Sequence, residues 1–426
     1  MIFRYSGRSY ARLIRLPLLG AVIALSLSTQ TAWAKELTLG EILAHAVHSD
    51  PAIAANAARL DAANAGVLAA DVRPRDTIGV DVEDFAGTGA YSPVDRSQTT
   101  AWYERTWERG GKREARIAAA RSEAGVTAER NRLRLLDLLA QVQVVWVEAQ
   151  AAEAAIPVAQ QRLAAAERMK SEVDRRVARA LDPLFAAERA KANVAQARIA
   201  LDQAEEQARI ARASLASWWG GNADYSIDTA SFTVADTATG GEDIADLAML
   251  TAEQDAAQAR VLLAETSNVG DPAARVGLRH FGQGNDVALV VGGSIPLGNK
   301  SANRGNVEQA NAERRAAEAE VAVARIALRR EIERLIAERT VMAQEVVRID
   351  REVLPSAERA VALARDGFAR GGTAFTFLEI NQASQAVTDT QSRRIDLLRQ
   401  FHLAGARLDR LTGRHASLLA NLENRP

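Results

Sequence analysis

Four stretches of helical apolar spacing, arranged as two long hairpins, limit what this chain of 426 residues can fold into more than any other feature. The first runs from Lys112 to Arg179, about 100 Å of helix at 1.5 Å per residue. Asp182 to Trp219 returns along it and stops at Gly220-Gly221. A second stretch descends from Arg304 to Arg370, and Phe377 to Leu411 returns, ending at Gly413. Leu133, Leu136, Ala140, Val144 and Val147 keep a 3/4 rhythm with charged residues between them, and Val321, Ala324, Leu328, Ile332 and Leu335 repeat it. Both halves stop on glycine, which tolerates the left-handed conformation that ends helices. The chain therefore reads as an internal duplication.

The hairpin tips differ. Arg179, Ala180, Leu181 and Asp182 make the first, where Asp182-Pro183 is a good helix start, an Asp cap followed by Pro at the first helical position. Gly371, Gly372, Thr373 and Ala374 make the second, a turn followed by a Thr cap. Pro157 and Pro355 precede the tips, and each is expected to kink its helix, with a helix end as the competing expectation. A coiled-coil spacer would carry similar turns.

Composition agrees with long packed helices: the chain is rich in Ala and charge, and aromatics are 5%. Its 53 Lys+Arg against 54 Asp+Glu leave no basic surplus for a nucleic acid. Cysteine is absent, which removes disulfides, thiolate metal sites and thiol nucleophiles. At the N-terminus, Arg4, Arg8, Arg12 and Arg15 precede an apolar stretch from Leu16 to Leu27, and Ala32-Trp33-Ala34 fits a cleavage site. Residues 1–34 are expected to be a signal peptide, with an uncleaved anchor as the alternative. No later run of some 18 apolar residues follows, so a membrane could be crossed only by a β-barrel.

Four strand candidates lie between the helices. Ile78, Val80 and Val82 alternate with Gly79, Asp81 and Glu83, the rhythm of an outer-membrane strand. Thr100 to Trp107 follows, with Trp102, Tyr103 and Trp107 suited to a membrane interface. Arg275, Gly277 and Arg279 alternate with Val276, Leu278 and His280, and a turn at 282–285 leads into Val287, Leu289, Val291 and Ile295. A small soluble sheet would alternate in the same way. In a membrane, four strands cannot close a barrel, so three copies giving twelve strands are expected. Asp81, Glu83 and Glu104 are candidates for the barrel lumen, where carboxylates favour cations. Ahead of the second tip, Asp366 and Arg370 are candidates for a constriction, with solvated helix faces as the alternative.

No enzymatic constellation is found, and no catalytic, cofactor-binding or metal site is assigned. His45 and His48 share a helix face without a third ligand, His280 lies in a strand, and His402 and His415 sit on separate turns. Gly282 and Gly284 form a hairpin turn rather than a phosphate loop.

Order and spacing of short motifs carry a resemblance. Leu39-Gly40-Glu41-Ile42 through Ser49-Asp50-Pro51 opens the first helix, and Arg73-Pro74 precedes Val80-Asp81-Val82-Glu83-Asp84-Phe85. Trp107-Glu108-Arg109-Gly110-Gly111-Lys112-Arg113 launches the first long helix, and Asp182-Pro183-Leu184 stands at its tip. Ser294-Ile295-Pro296-Leu297 with Asn303-Arg304-Gly305 leaves the fourth strand. From Leu37 to Gly413 the chain resembles the outer membrane efflux protein (TolC-like) family, in particular the heavy-metal resistance (CzcC-type) channel subunits. Arg179-Ala180 departs from that pattern, which usually has a Gly at the tip.

The resemblance implies a mainly α fold with a small β part. Long antiparallel helical hairpins would form a periplasmic tunnel, and four strands per chain would contribute to a trimeric twelve-stranded outer-membrane β-barrel. It also implies a homotrimer in outer-membrane lipid whose tips dock a periplasmic adaptor (membrane fusion) protein attached to an inner-membrane RND-type pump. The chain would then be a passive duct, not an enzyme, exporting divalent heavy-metal cations of the Co/Zn/Cd type. The expected divisions are 1–34 leader, 35–220 first repeat, 221–242 linker, 243–413 second repeat and 414–426 tail. The alternative is a periplasmic adaptor or coiled-coil scaffold without a pore. Adaptors, however, carry one hairpin between globular β domains.

Overall fold

The computed structural model describes residues 36–89, 96–237, 244–297, 300–370 and 376–418. The expected leader and the second tip at 371–374 lie outside the described residues. A short strand β1 (Glu36–Leu37) leads into α1 (Leu39–Ser49), whose start is a capping box between Thr38 and Glu41. Asp50 then caps α2 (Pro51–Ala70) by accepting from the Ala52 amide at 2.7 Å, with Pro51 in the first turn. The Asp-Pro pair thus restarts a helix immediately after one has ended.

Strands β2 (Thr77–Glu83) and β3 (Gln98–Thr106) follow, then α3 (Lys112–Ala178) and α4 (Leu184–Ala216). A 3₁₀ turn at Ser217–Trp219 ends on Gly220 at φ +69°, and β4 (Ser226–Ile227) pairs in parallel with β1. The second half repeats the order: α5 (Ala245–Thr266), β5 (Ala273–Phe281), β6 (Val287–Ser294), then α6 (Lys300–Arg348), α7 (Leu354–Ala369) and α8 (Phe377–Leu411). Among the described residues no helix is long and apolar enough to cross a membrane.

The two prolines are absorbed differently. α3 continues through Pro157 as a single helix of 67 residues. Ahead of Pro355, Ile349–Val353 form a π-helical turn, and α7 begins at once with that proline in its first turn. The Leu354 amide reaches back to the Ile349 carbonyl, so the wider turn takes up the register lost where proline has no N–H. Neither proline ends its arm of the hairpin.

Among the described residues, hydrophobic packing forms two larger cores and a small third cluster of Leu335, Ala404 and Leu408. One core gathers Ile42, Leu43, Leu136, Leu139, Val142, Trp146, Leu215, Phe232, Leu397 and Leu398, tying α1, α3, α4 and α8 to the connecting segment before α5. Each such large side chain contributes about 1.5–3 kcal/mol by leaving water. The other core lies near the tips, where Val173, Ala186, Ala190, Ala364, Phe368 and Ile380 join both hairpins. Alanine dominates there because helices can approach closely only over small side chains.

All four longer strands form one antiparallel sheet in the order β2-β3-β5-β6. Its central pair, β3 and β5, joins the two repeats. β2 and β6 are edges with no strand beyond them among the described residues.

Candidate functional site

Register sorts the sheet into two faces. Ile78 pairs with Tyr103, Tyr103 with Val276, and Val276 with Val291, while Val80, Ala101, Leu278 and Leu289 form the next row. These side chains share one face, and Ile78, Val80, Leu278, Leu289 and Val291 are all more than half exposed. A face this apolar and this open needs a non-aqueous neighbour. His280 falls on the same face beside the turn, with its Nε2 2.7 Å from Asn285 Oδ1.

The opposite face is polar, and it holds Asp81, Glu83 and Glu104 together. Two arginines that spacing alone did not single out as partners meet them there. Arg275 lies 3.1 Å from Glu104 and 3.6 Å from Asp81. Arg279 reaches Glu83 at 2.7 Å, Thr100 Oγ1 at 2.9 Å and Gln98 Oε1 at 3.0 Å. The carboxylates therefore face guanidinium groups instead of standing bare.

Trp102 belongs to this polar face, not to the lipid interface expected from its residue type. Its register partners are Gly79 and Gly277, and a Cβ on Gly79 would fall 2.3 Å from the indole. The ring fills the space left by that missing side chain, and the Arg275 guanidinium stacks on it at 3.8 Å. Tyr103 and Trp107 do lie exposed at the end of β3 that leads into the helices, where the Tyr103 hydroxyl donates to Asp76 at 2.6 Å.

At the junction of sheet and helix, the Gly-Gly-Lys-Arg run has a physical basis. Gly110 and Gly111 both have positive φ, +73° and +74°, and a Cβ on Gly110 would collide with Val269. Lys112 bonds Asp271 at 2.8 Å, just before β5, and the Arg109 amide donates to the same carboxylate at 3.0 Å. Burial pushes the Asp271 carboxyl up, but these two donors hold it below the usual carboxylate range. Arg113 and Arg116 donate to the Asp71, Ala70 and Val72 carbonyls, closing the end of α2.

At the first tip, Arg179 ends α3 and Ala180 adopts φ +55°. The Leu181 amide reaches the Arg176 carbonyl and the Ala180 amide reaches that of Val177, both at 2.9 Å, the bonds of a Schellman motif. Leu181, Leu184 and Phe185 are exposed at 59%, 77% and 69%, an apolar cap on the hairpin. Asp182 is gripped by Arg176, which also donates to the Phe368 carbonyl of the other hairpin at 2.9 Å. The constriction candidates Asp366 and Arg370 pair with each other at 2.6 Å on the exposed end of α7.

The histidines occupy structural positions. His402 donates from Nε2 to the Phe232 carbonyl at 2.9 Å and stacks on its ring; burial pushes its pKa down. His415 faces Gln143 and Asp409, and burial pushes it down as well. His45 lies against Trp219, and the His48 ring nitrogen is 2.9 Å from the Ala44 carbonyl. Among the described residues no three His, Asp or Glu side chains gather as metal ligands.

Long helical hairpins continuous with a four-stranded sheet, apolar on one face and with neither edge paired among the described residues, define the fold. Among solved structures, a membrane protein from Pseudomonas aeruginosa matches with a TM-score of 0.73 at 17% identity, covering 89% of this chain and 91% of that one. The outer membrane protein VceC of Vibrio cholerae matches with a TM-score of 0.69 at 18% identity, over 88% of this chain and 96% of that one. The cobalt-zinc-cadmium resistance protein CzcC of Cupriavidus metallidurans is 27% identical over 393 residues, 89% of this chain and 90% of the relative. The sequence model of the family described as Outer membrane efflux protein matches residues 242–414.

Proposed function

We propose that three copies of this chain close a twelve-stranded barrel, four strands from each, and act as the outer-membrane duct of a tripartite efflux system. The observation that carries this reading is the sheet itself. Its exposed apolar face suits lipid, while its two edges leave backbone groups that lipid cannot satisfy until another chain pairs with them. The exported substrates are divalent heavy-metal cations of the Co/Zn/Cd type, supported by the name of the relative from Cupriavidus metallidurans and its coverage of both chains. An inner-membrane RND-type pump supplies the energy through a periplasmic adaptor. The tips at Arg179–Asp182 and Gly371–Ala374 dock that adaptor, Asp366 and Arg370 form the periplasmic gate, and Asp81, Glu83 and Glu104 face the lumen. Residues 1–34 direct export, and 35–220 and 243–413 are the two repeats, joined by a linker at 221–242 and followed by a tail at 414–426.

Because the chain has no cysteine, paired cysteines report cleanly on closure. Within one chain, β2 and β6 are three strand spacings apart, about 14 Å, beyond the reach of a disulfide. One of a short series pairing Ile78→Cys or Val80→Cys with Val287→Cys, Leu289→Cys or Val291→Cys should therefore give oxidant-dependent dimers and trimers. Monomers throughout the series would end the barrel reading. Deleting the gene should lower tolerance to zinc, cobalt or cadmium; unchanged tolerance to all three would remove the metal assignment and leave the channel.

A further inference from the structure

We infer that Arg275 and Arg279 set the ion selectivity of the barrel, by cancelling most of the negative charge that its strands turn toward the pore. The inference rests on the channel reading, which makes the polar face of the sheet the lumen. Within the four strands that face carries three carboxylates, Asp81, Glu83 and Glu104, and two guanidiniums. Left alone, the carboxylates of three chains would form stacked acidic rings only a few residues apart. Neighbouring rings lie on the scale of a Debye length from each other, about 8–10 Å, and would both concentrate and hold cations.

Each guanidinium is placed to prevent this. Arg275 sits between Glu104 on the neighbouring strand and Asp81 one strand further, 3.1 and 3.6 Å away. Its plane lies 3.8 Å above the Trp102 ring, which is itself seated over Gly79. The stacked position limits how far the side chain can swing into the pore. Arg279 works two rows nearer the turn between β5 and β6, spending one nitrogen on Glu83 and the other two on Gln98 and Thr100. One negative charge per chain remains on the face. A duct must release what it conducts, and carboxylates already bonded to a fixed guanidinium hold a passing cation weakly.

The test uses full-length trimers in planar bilayers, with reversal potentials read in a potassium chloride gradient. R275Q/R279Q should raise the potassium-to-chloride permeability ratio by about threefold or more, since local counter-ion concentration follows the charge of a confined pore. R275K/R279K keeps the charge and should stay near the parent value. D81N/E83Q/E104Q should shift the ratio toward chloride. Equal ratios for the parent and R275Q/R279Q overturn the inference. If that variant yields no trimers, an unmoved ratio in D81N/E83Q/E104Q overturns it instead. Parent trimers that pass no current would overturn the channel reading itself, a different failure from conduction with unchanged selectivity.

Discussion

Arg176 and Asp182 hold each other through two hydrogen bonds, Nε to Oδ2 at 2.8 Å and Nη2 to Oδ1 at 3.2 Å, across the turn that closes the first hairpin. The same guanidinium donates to the Phe368 carbonyl and stacks on the Phe368 ring at 4.1 Å, so one side chain fastens both hairpins near their tips. Both partners are more than four-fifths buried, which makes the pair stronger than a surface ion pair.

Arg176→Gln should therefore loosen the tip by about 2 kcal/mol. Hydrogen exchange should show this as faster exchange at amides 177–186 and at the end of α7, with the core around Leu398 unchanged. Arg176→Lys should rescue little, because an ammonium cannot make the paired bonds or the stacking contact. Equal exchange in all three proteins would show that the clamp is idle.

Ala180 offers the opposite change. Its φ of +55° costs an L-residue with a Cβ about 1 kcal/mol. Ala180→Gly should slow exchange at the amides of residues 180 and 181 by a few-fold, despite deleting a methyl group. Faster exchange at both would mean that the extra freedom of glycine in the opened tip outweighs the relief.

In the sheet, Gly79 and Trp102 share one space. Gly79→Val should displace the indole at a cost of about 1–3 kcal/mol per chain, reducing the yield of the proposed trimers that survive detergent electrophoresis. Adding Trp102→Ala should restore much of that yield by returning the volume. If the double variant is no better than the single one, the loss has a cause other than crowding.

His402 and His415 predict a pH dependence. Both folded pKa values lie below the ordinary 6.5 because burial disfavours the charged ring. In the unfolded chain these rings take up protons as pH falls through that value, while in the fold they resist. Their contribution is thus fully present above pH 6.5 and is lost as pH falls toward the lower folded values. His402→Gln, which keeps a donor for the Phe232 carbonyl, should flatten the fall in denaturant midpoint between about pH 7.5 and about pH 5.5. A slope as steep as the parent's would assign the effect elsewhere.

Much of this architecture was legible because period is local. The 3/4 rhythm placed α8 at Phe377–Leu411 to the residue and the start of α3 at Lys112. Strand alternation placed Ile78, Val80 and Val82 on one face of the sheet. Trp102 was misjudged by residue type, although its even spacing from Glu104 put it on the acidic face. The partners of Asp81 and Glu83 were hidden because strand order, not spacing, brings residues almost 200 positions away beside them. Ala180 took a glycine's conformation without being glycine, since the bonds from Leu181 and the Arg176–Asp182 pair fix the turn around it. Pattern reading has no access to such tertiary compulsion.

The unpaired edges of β2 and β6 carry a consequence for biogenesis. A lone chain cannot commit its sheet to the hydrocarbon, since the outer N–H and C=O groups of both edges would enter it without partners. For the barrel proposed above, insertion and subunit association are then a single event rather than successive ones. The supply of finished pores should rise more steeply than first order with the concentration of exported chain. A modest fall in expression would consequently remove a disproportionate share of them, and cells would need either brisk synthesis or a caretaker that shields those two strands while copies accumulate.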